Sequence, residues 1–147
     1  MGREPPYRVR WTSQRSARGI GASVTADGTV TRLAATDQSV TVARHLAREA
    51  AAALPTEIGQ NLELVVSELA TNAVRHARTP FRLSILTGPT LRVEVADGSS
   101  LLPTRGSPDL WSESGRGLWL VAALTQSWGV VPLRAGKVVW ADLGPAS

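Results

Sequence analysis

The stretch Leu64-Val65-Val66-Ser67-Glu68-Leu69-Ala70-Thr71-Asn72-Ala73-Val74-Arg75-His76-Ala77 decides how this chain reads. Its apolar residues continue a pattern that starts upstream: Ile58, Leu62, Val65, Leu69 and Ala73 recur at steps of three and four. That period is one buried stripe of an α-helix. The helix opens at Thr56, after the break at Pro55, and ends near Ala77, before Pro80. Glu68 and Asn72 stand four residues apart and so share a helical face. A carboxylate and an amide beside a core stripe need a polar partner, because unpaired burial is costly. A hydrated Mg²⁺ carrying a polyphosphate would supply one. The Asn72 amide oxygen can coordinate such a metal, and Glu68 can orient or deprotonate an attacking group. A solvent-facing polar stripe that includes Arg75 explains the pair equally well.

Upstream of this helix, residues 1–28 lack sustained periodicity and read as a flexible, Arg-rich tail, mostly disordered, with room for a short strand. Thr29 to Ala34 alternates as a first strand. A helix capped by Asp37 or Ser39 runs to about Ala53, with Val42, Leu46 and Ala50 on one face. Downstream, Phe81–Thr87 and Leu91–Ala96 alternate around Gly88-Pro89 as a β-hairpin. Residues 97–114 are polar and rich in Gly, Ser and Pro, which is long for a connection in a small domain. Gly117 to Leu124 is a short apolar helix, and Ser127–Leu133 and Val138–Leu143 form a last strand pair. This order predicts an α+β fold: a two-layer sandwich whose mostly antiparallel sheet is covered on one face by about three helices. One domain over residues 29–147 accounts for it.

Two further motifs follow the helix. The strand Val93-Glu94-Val95-Ala96 ends in Asp97-Gly98. An Asp there can point its carboxylate into a pocket and accept from the exocyclic amine of adenine. On its own an Asp-Gly turn explains it better. Then Gly115-Arg116-Gly117-Leu118 stands where the long loop enters a helix. Glycines there expose backbone N–H groups to an anion, and the helix dipole adds to the attraction. A Gly-rich hinge without a ligand is the plain alternative. The Gly-Lys-Ser/Thr of a Walker loop is absent.

Composition narrows the field. With no cysteine and two histidines among 147 residues, disulfides and thiolate sites are excluded and a zinc site is disfavoured. No apolar run has the length of a membrane helix, and Met1 to Arg18 is followed by no apolar signal region, so a cytoplasmic protein is expected. The net charge of +4 is small, and every basic residue except Lys137 is Arg. These arginines cluster only at Arg3, Arg8, Arg10, Arg15 and Arg18, which reads as a solvated tail more readily than as a DNA-binding arm.

The order of these motifs is more specific than any one of them. A helix with Glu and Asn, a strand ending in Asp-Gly, a loop, and Gly-x-Gly opening a helix together resemble the GHKL ATPase superfamily, with its Bergerat fold. The closest likeness is to stand-alone ATP-binding proteins of the anti-sigma-factor serine/threonine kinase type, over roughly Thr36 to Leu143. Residues 64–77 look like that family's N box, and Trp128-Gly129 and Gly136-Lys137-Val138-Val139-Trp140 also look like family features.

The resemblance implies ATP and Mg²⁺ as cofactors, Glu68 as catalytic base, and Asn72 as metal ligand. It also implies Asp97, with Gly98, as the adenine site. Gly115, Arg116, Gly117 and Leu118 become the phosphate side beneath a mobile lid at about Ser99–Ser114. His76 belongs to the pocket rim or caps the helix.

Two departures stand out. The first glycine box reads Asp97-Gly98-Ser99-Ser100-Leu101 rather than Asp-x-Gly-x-Gly. Family members also commonly carry Thr after Gly-Lys, and its hydroxyl supports the adenine and its Asp. Val138 removes that hydroxyl, so the adenine end is expected to be weak at Val138. Trp119, Trp128 and Trp140 are expected to be core or half-buried, while Trp111 lies in the lid.

The expected function is phosphorylation of a serine or threonine on an antagonist protein, with the same domain sequestering a sigma factor. Relatives of this type often dimerise, and no direct contact with nucleic acid or membrane is expected. The alternatives are a non-catalytic or weakly nucleotide-binding interaction module and the catalytic domain of a histidine kinase. The short lid and the lack of a phosphoacceptor helix weigh against the last.

Overall fold

A computed structural model of the chain describes residues 22–25, 28–88, 90–100 and 116–144, with the backbone alone for 22–25, 28, 29 and 116–118. Six strands form one sheet: β1 (Ala22–Thr25), β2 (Gly28–Leu33), β3 (Phe81–Leu86), β4 (Leu91–Asp97), β5 (Ser127–Leu133) and β6 (Gly136–Leu143). Their order is β1-β2-β3-β4-β6-β5, and every pairing is antiparallel. Three helices accompany it: α1 (Asp37–Ala51), α2 (Thr56–Asn72), which continues into a π-helical turn (Ala73–Ala77), and α3 (Arg116–Leu124). The α+β architecture is therefore the expected one. The sheet begins earlier than position 29, because β1 pairs with β2 from Ala22↔Thr31 to Thr25↔Gly28. The rest of the expected tail, residues 1–21, 26 and 27, lies outside the described residues.

The core sits between the helices and one face of the sheet. Leu62, Val65, Val66, Leu69, Ala70 and Ala73 from the long helix meet Leu83, Ile85, Val93, Val95, Val139 and Ala141 from the strands. The stripe read from the sequence is thus the packed one. On α1 the buried positions are Ser39, Val40, Ala43 and Ala47, while Val42, Leu46 and Ala50 are only partly covered. Small residues at the closest approach let α1 lie near α2: a Cβ on Gly59 would stand 3.0 Å from that of Ala51. The N-cap of α1 is Thr36, not Asp37 or Ser39, and it makes no side-chain bond to the helix backbone. Its hydroxyl lies 3.2 Å from that of Ser39 instead.

The other face of the sheet holds a buried polar cluster that alternation alone would send to solvent. Arg92 is 2 % exposed, Glu94 2 % and Asp142 8 %. Arg92 donates from Nε to Asp142 Oδ1 (2.6 Å) and from Nη2 to Oδ2 (2.7 Å). Its guanidinium stacks 4.4 Å from the Trp140 ring centroid. That indole crosses Gly129, where a Cβ would lie 2.8 Å from it, so position 129 requires glycine. Trp128 packs partly buried on the core. Trp119 departs from expectation: it is 79 % exposed on α3, because that short helix turns Val121 rather than Trp119 inward. Among the described residues no helix is long and apolar enough to cross a membrane.

Candidate functional site

The metal end proposed from sequence lies on the last turn of α2. Asn72 is half-buried, and both polar atoms of its amide are enclosed with no hydrogen-bond partner among the described residues. An amide left in that state is a cost unless a ligand completes it. The donor set fits Mg²⁺, which takes oxygen ligands and needs only one or two from protein when phosphates and water supply the rest. When bound, the ion would neutralise phosphate charge.

Helix geometry changes directly after Asn72. Arg78 N–H donates to Ala73 O at 3.0 Å, a bond across five residues, and Arg78 itself adopts the left-handed conformation that closes the helix (φ 55°). Such π turns often occur at functional sites. His76 lies within this turn, half-buried. The wider turn takes it off the four-residue line that runs from Glu68 to Asn72.

Glu68 lies one turn before Asn72 and is also half-buried. Burial raises its pKa above the usual carboxylate value, against the opposing pull of Arg44 and Arg75. A carboxylate so placed is a better proton acceptor than an exposed one. A cleft of about 190 Å³ opens between α1 and the end of α2, lined by Arg44, Thr71 and Arg75 among others. Arg44 Nε donates to Ser67 Oγ at 2.8 Å, which fixes the guanidinium near the carboxylate.

Asp97 ends β4 on the helix-covered face, opposite Phe81 on one side and Lys137 on the other. It is 8 % exposed. Its Oδ1 accepts from Lys137 Nζ at 3.0 Å and from the Ser99 N–H at 2.9 Å. Gly98 N–H donates to Thr79 Oγ1 at 2.8 Å. This last bond ties the Asp97-Gly98 turn to the segment that follows the π turn, so the two ends of the candidate site are held on adjoining elements.

The register corrects one expectation. Val138 pairs with Ala96, on the opposite face of the sheet from Asp97. Side chains alternate along a strand, so the residue beside the carboxylate is Lys137. The side chain that meets the Asp97 carboxylate directly is therefore the Lys137 ammonium, and the hydroxyl missing at 138 does not lie beside it. The sequence contained the signal, since Lys137 is the one lysine in the chain. Only strand pairing connects it to Asp97.

On the phosphate side, the backbone of Arg116, Gly117 and Leu118 forms the first residues of α3. Ser99 and Ser100, at the start of the proposed lid, are described, while the rest of it through Ser114, with Trp111, and Gly115 lie outside the described residues.

The family profile described as "Histidine kinase-like ATPase domain" matches residues 33–142, well over half of the chain. The chain belongs to this family. It is accordingly a GHKL-type, ATP-binding, kinase-like domain, and domains of this kind typically bind ATP with Mg²⁺. Among solved structures, the histidine kinase domain from the Erythrobacter litoralis EL346 blue-light activated histidine kinase is 31% identical. That match covers 63% of this chain and 46% of the other, with a TM-score of 0.45. The domain thus spans about half of that relative. No curated protein matches the chain.

Proposed function

We propose that this ATP-binding domain is a regulatory serine/threonine protein kinase of the anti-sigma-factor type. It would phosphorylate an antagonist protein and hold a sigma factor inactive through the same domain, in the cytoplasm. The observation that carries the chemistry is the half-buried Glu68, its pKa raised by burial, one helical turn from the unpartnered amide of Asn72. In this reading Glu68 takes the proton of the attacking hydroxyl. The new bond joins the serine or threonine oxygen to the γ-phosphorus, the bond to the bridging oxygen breaks, and ADP leaves. Such transfer rests on positioning and charge neutralisation more than on covalent help from the protein. Labelled ATP and a candidate antagonist, incubated with the wild type and with Glu68→Ala, test it. Label should reach a serine or threonine with the wild type alone. Equal labelling by both proteins would remove Glu68 from this role.

A second reading is a weakly nucleotide-binding interaction module. It is favoured by the two internal donors already placed on Asp97 Oδ1. Mg-ATP titration calorimetry separates the two, since a module without a working site gives no saturable heat at millimolar nucleotide.

A further inference from the structure

Among the described residues, the buried ion pairs that Asp142 and Asp97 make differ in form. Arg92 engages both oxygens of Asp142, at 2.6 and 2.7 Å, and leaves that carboxylate without a free oxygen edge. Lys137 engages only Oδ1 of Asp97. Among the described residues Oδ2 of Asp97 has no hydrogen-bond partner. The Lys137 ammonium has three N–H donors. One goes to Asp97 Oδ1 at 3.0 Å and a second, longer, to the Ser99 carbonyl at 3.4 Å. The third has no acceptor among the described residues. Lys137 is 7 % exposed, so water is largely kept from it.

Lysine and arginine behave differently at such a pair. A guanidinium is a planar fork that takes both oxygens of a carboxylate, as Arg92 does. An ammonium is a point donor that takes one and leaves the other. Among the described residues the Asp97–Lys137 pair therefore presents an acceptor without a donor beside a donor without an acceptor, at the end of β4 and β6 on the helix-covered face. A purine edge with a donor next to an acceptor complements that arrangement. In adenine these are the exocyclic amine and ring nitrogen N1.

We propose that Lys137 is a specificity-determining residue for the nucleobase, donating directly to N1 of adenine while Asp97 Oδ2 accepts from its exocyclic amine. This rests on the assignment of Asp97 to the base end of the ATP site and adds a second, charged contact to it. Gly136 helps set the contact: its φ of +134° and the bare backbone facing Asp97 bring the two strands together where the pair forms.

The test is calorimetric titration of wild type and Lys137→Met with Mg-ATP and with Mg-1-deaza-ATP, which lacks the N1 acceptor. Hydrogen bonds to charged groups are the strong ones, so wild type should bind the deaza analogue at least about tenfold more weakly than ATP. Lys137→Met should bind ATP more weakly than wild type does and should not distinguish the two nucleotides. If the methionine variant does not fold, Lys137→Ala is read in the same way. Equal binding of both nucleotides by wild type overturns the proposal, and so does tighter ATP binding by Lys137→Met, which would make the lysine a competitor for Asp97. Absence of any Mg-ATP binding to wild type at millimolar concentration overturns the assignment of the ATP site itself, and this proposal with it. Binding without N1 discrimination overturns the lysine contact alone.

Discussion

Gly136 faces the backbone of Asp97 so closely that a Cβ at position 136 would stand 1.9 Å from the Asp97 carbonyl oxygen. The residue also has φ +134°, which side-chain-bearing residues rarely adopt. Both constraints act at the point where β4 and β6 present Asp97 and Lys137 together. Gly136→Ala should therefore cost more than about 1 kcal/mol in urea unfolding, since the native conformation is incompatible with alanine. It should also weaken nucleotide binding, because relief of the clash moves Asp97. An unchanged unfolding midpoint would show that the two strands are not held this close.

Arg92 and Asp142 should behave as a buried pair. Arg92→Met leaves Asp142 and Glu94 buried without their cation. The expected loss is about 3–5 kcal/mol, well above that of an exposed ion pair. Chemical denaturation at neutral pH measures it. A loss below about 1 kcal/mol would mean that water reaches this face of the sheet.

The raised pKa of Glu68 gives stability a definite dependence on pH. Its ordinary value is 4.5 and burial raises it in the folded state. Below 4.5 the side chain is protonated in both states and costs nothing. As pH rises past that value the unfolded chain releases its proton first, and the folded state loses relative stability until its own group ionises. Glu68→Gln should then melt at a higher temperature than wild type at pH 7, with the difference shrinking as pH falls toward 4.5 and absent below it. A gap that is independent of pH would show that the gain does not come from ionisation. The same sign is expected for Glu94, whose pKa is also raised chiefly by burial.

Asn72 separates stability from binding. Both its polar atoms lack partners among the described residues, so Asn72→Ala removes no side-chain hydrogen bond made among them. Its unfolding free energy should stay within about 1 kcal/mol of wild type, the scale of one ordinary hydrogen bond. Its ATP affinity should no longer respond to Mg²⁺. Titration with ATP in Mg²⁺ and in EDTA reads this directly. A variant that keeps the full Mg²⁺ response would place the metal elsewhere.

From Thr29 onward the sequence by itself determined the elements and their order, while β1 became visible only through its pairing with β2. Three- and four-residue steps marked α2 from Thr56 onward, alternation marked β3 and β4, and Gly88-Pro89 marked the turn between them. These are local signals, written in the period of each backbone conformation. The helix face shared by Glu68 and Asn72 is equally local, since four residues are about one turn of helix. Other features depend on which segments meet. Pairing of β4 with β6 put Lys137 beside Asp97 and sent Val138 to the other face, a one-residue difference that alternation turns into opposite sides of the sheet. Burial of Arg92, Glu94 and Asp142 together, and exposure of Trp119, likewise follow from packing. Polarity along the chain cannot announce them, because a charge tolerates burial only when folding delivers its counter-charge, and that partner lies 50 residues away in the case of Arg92.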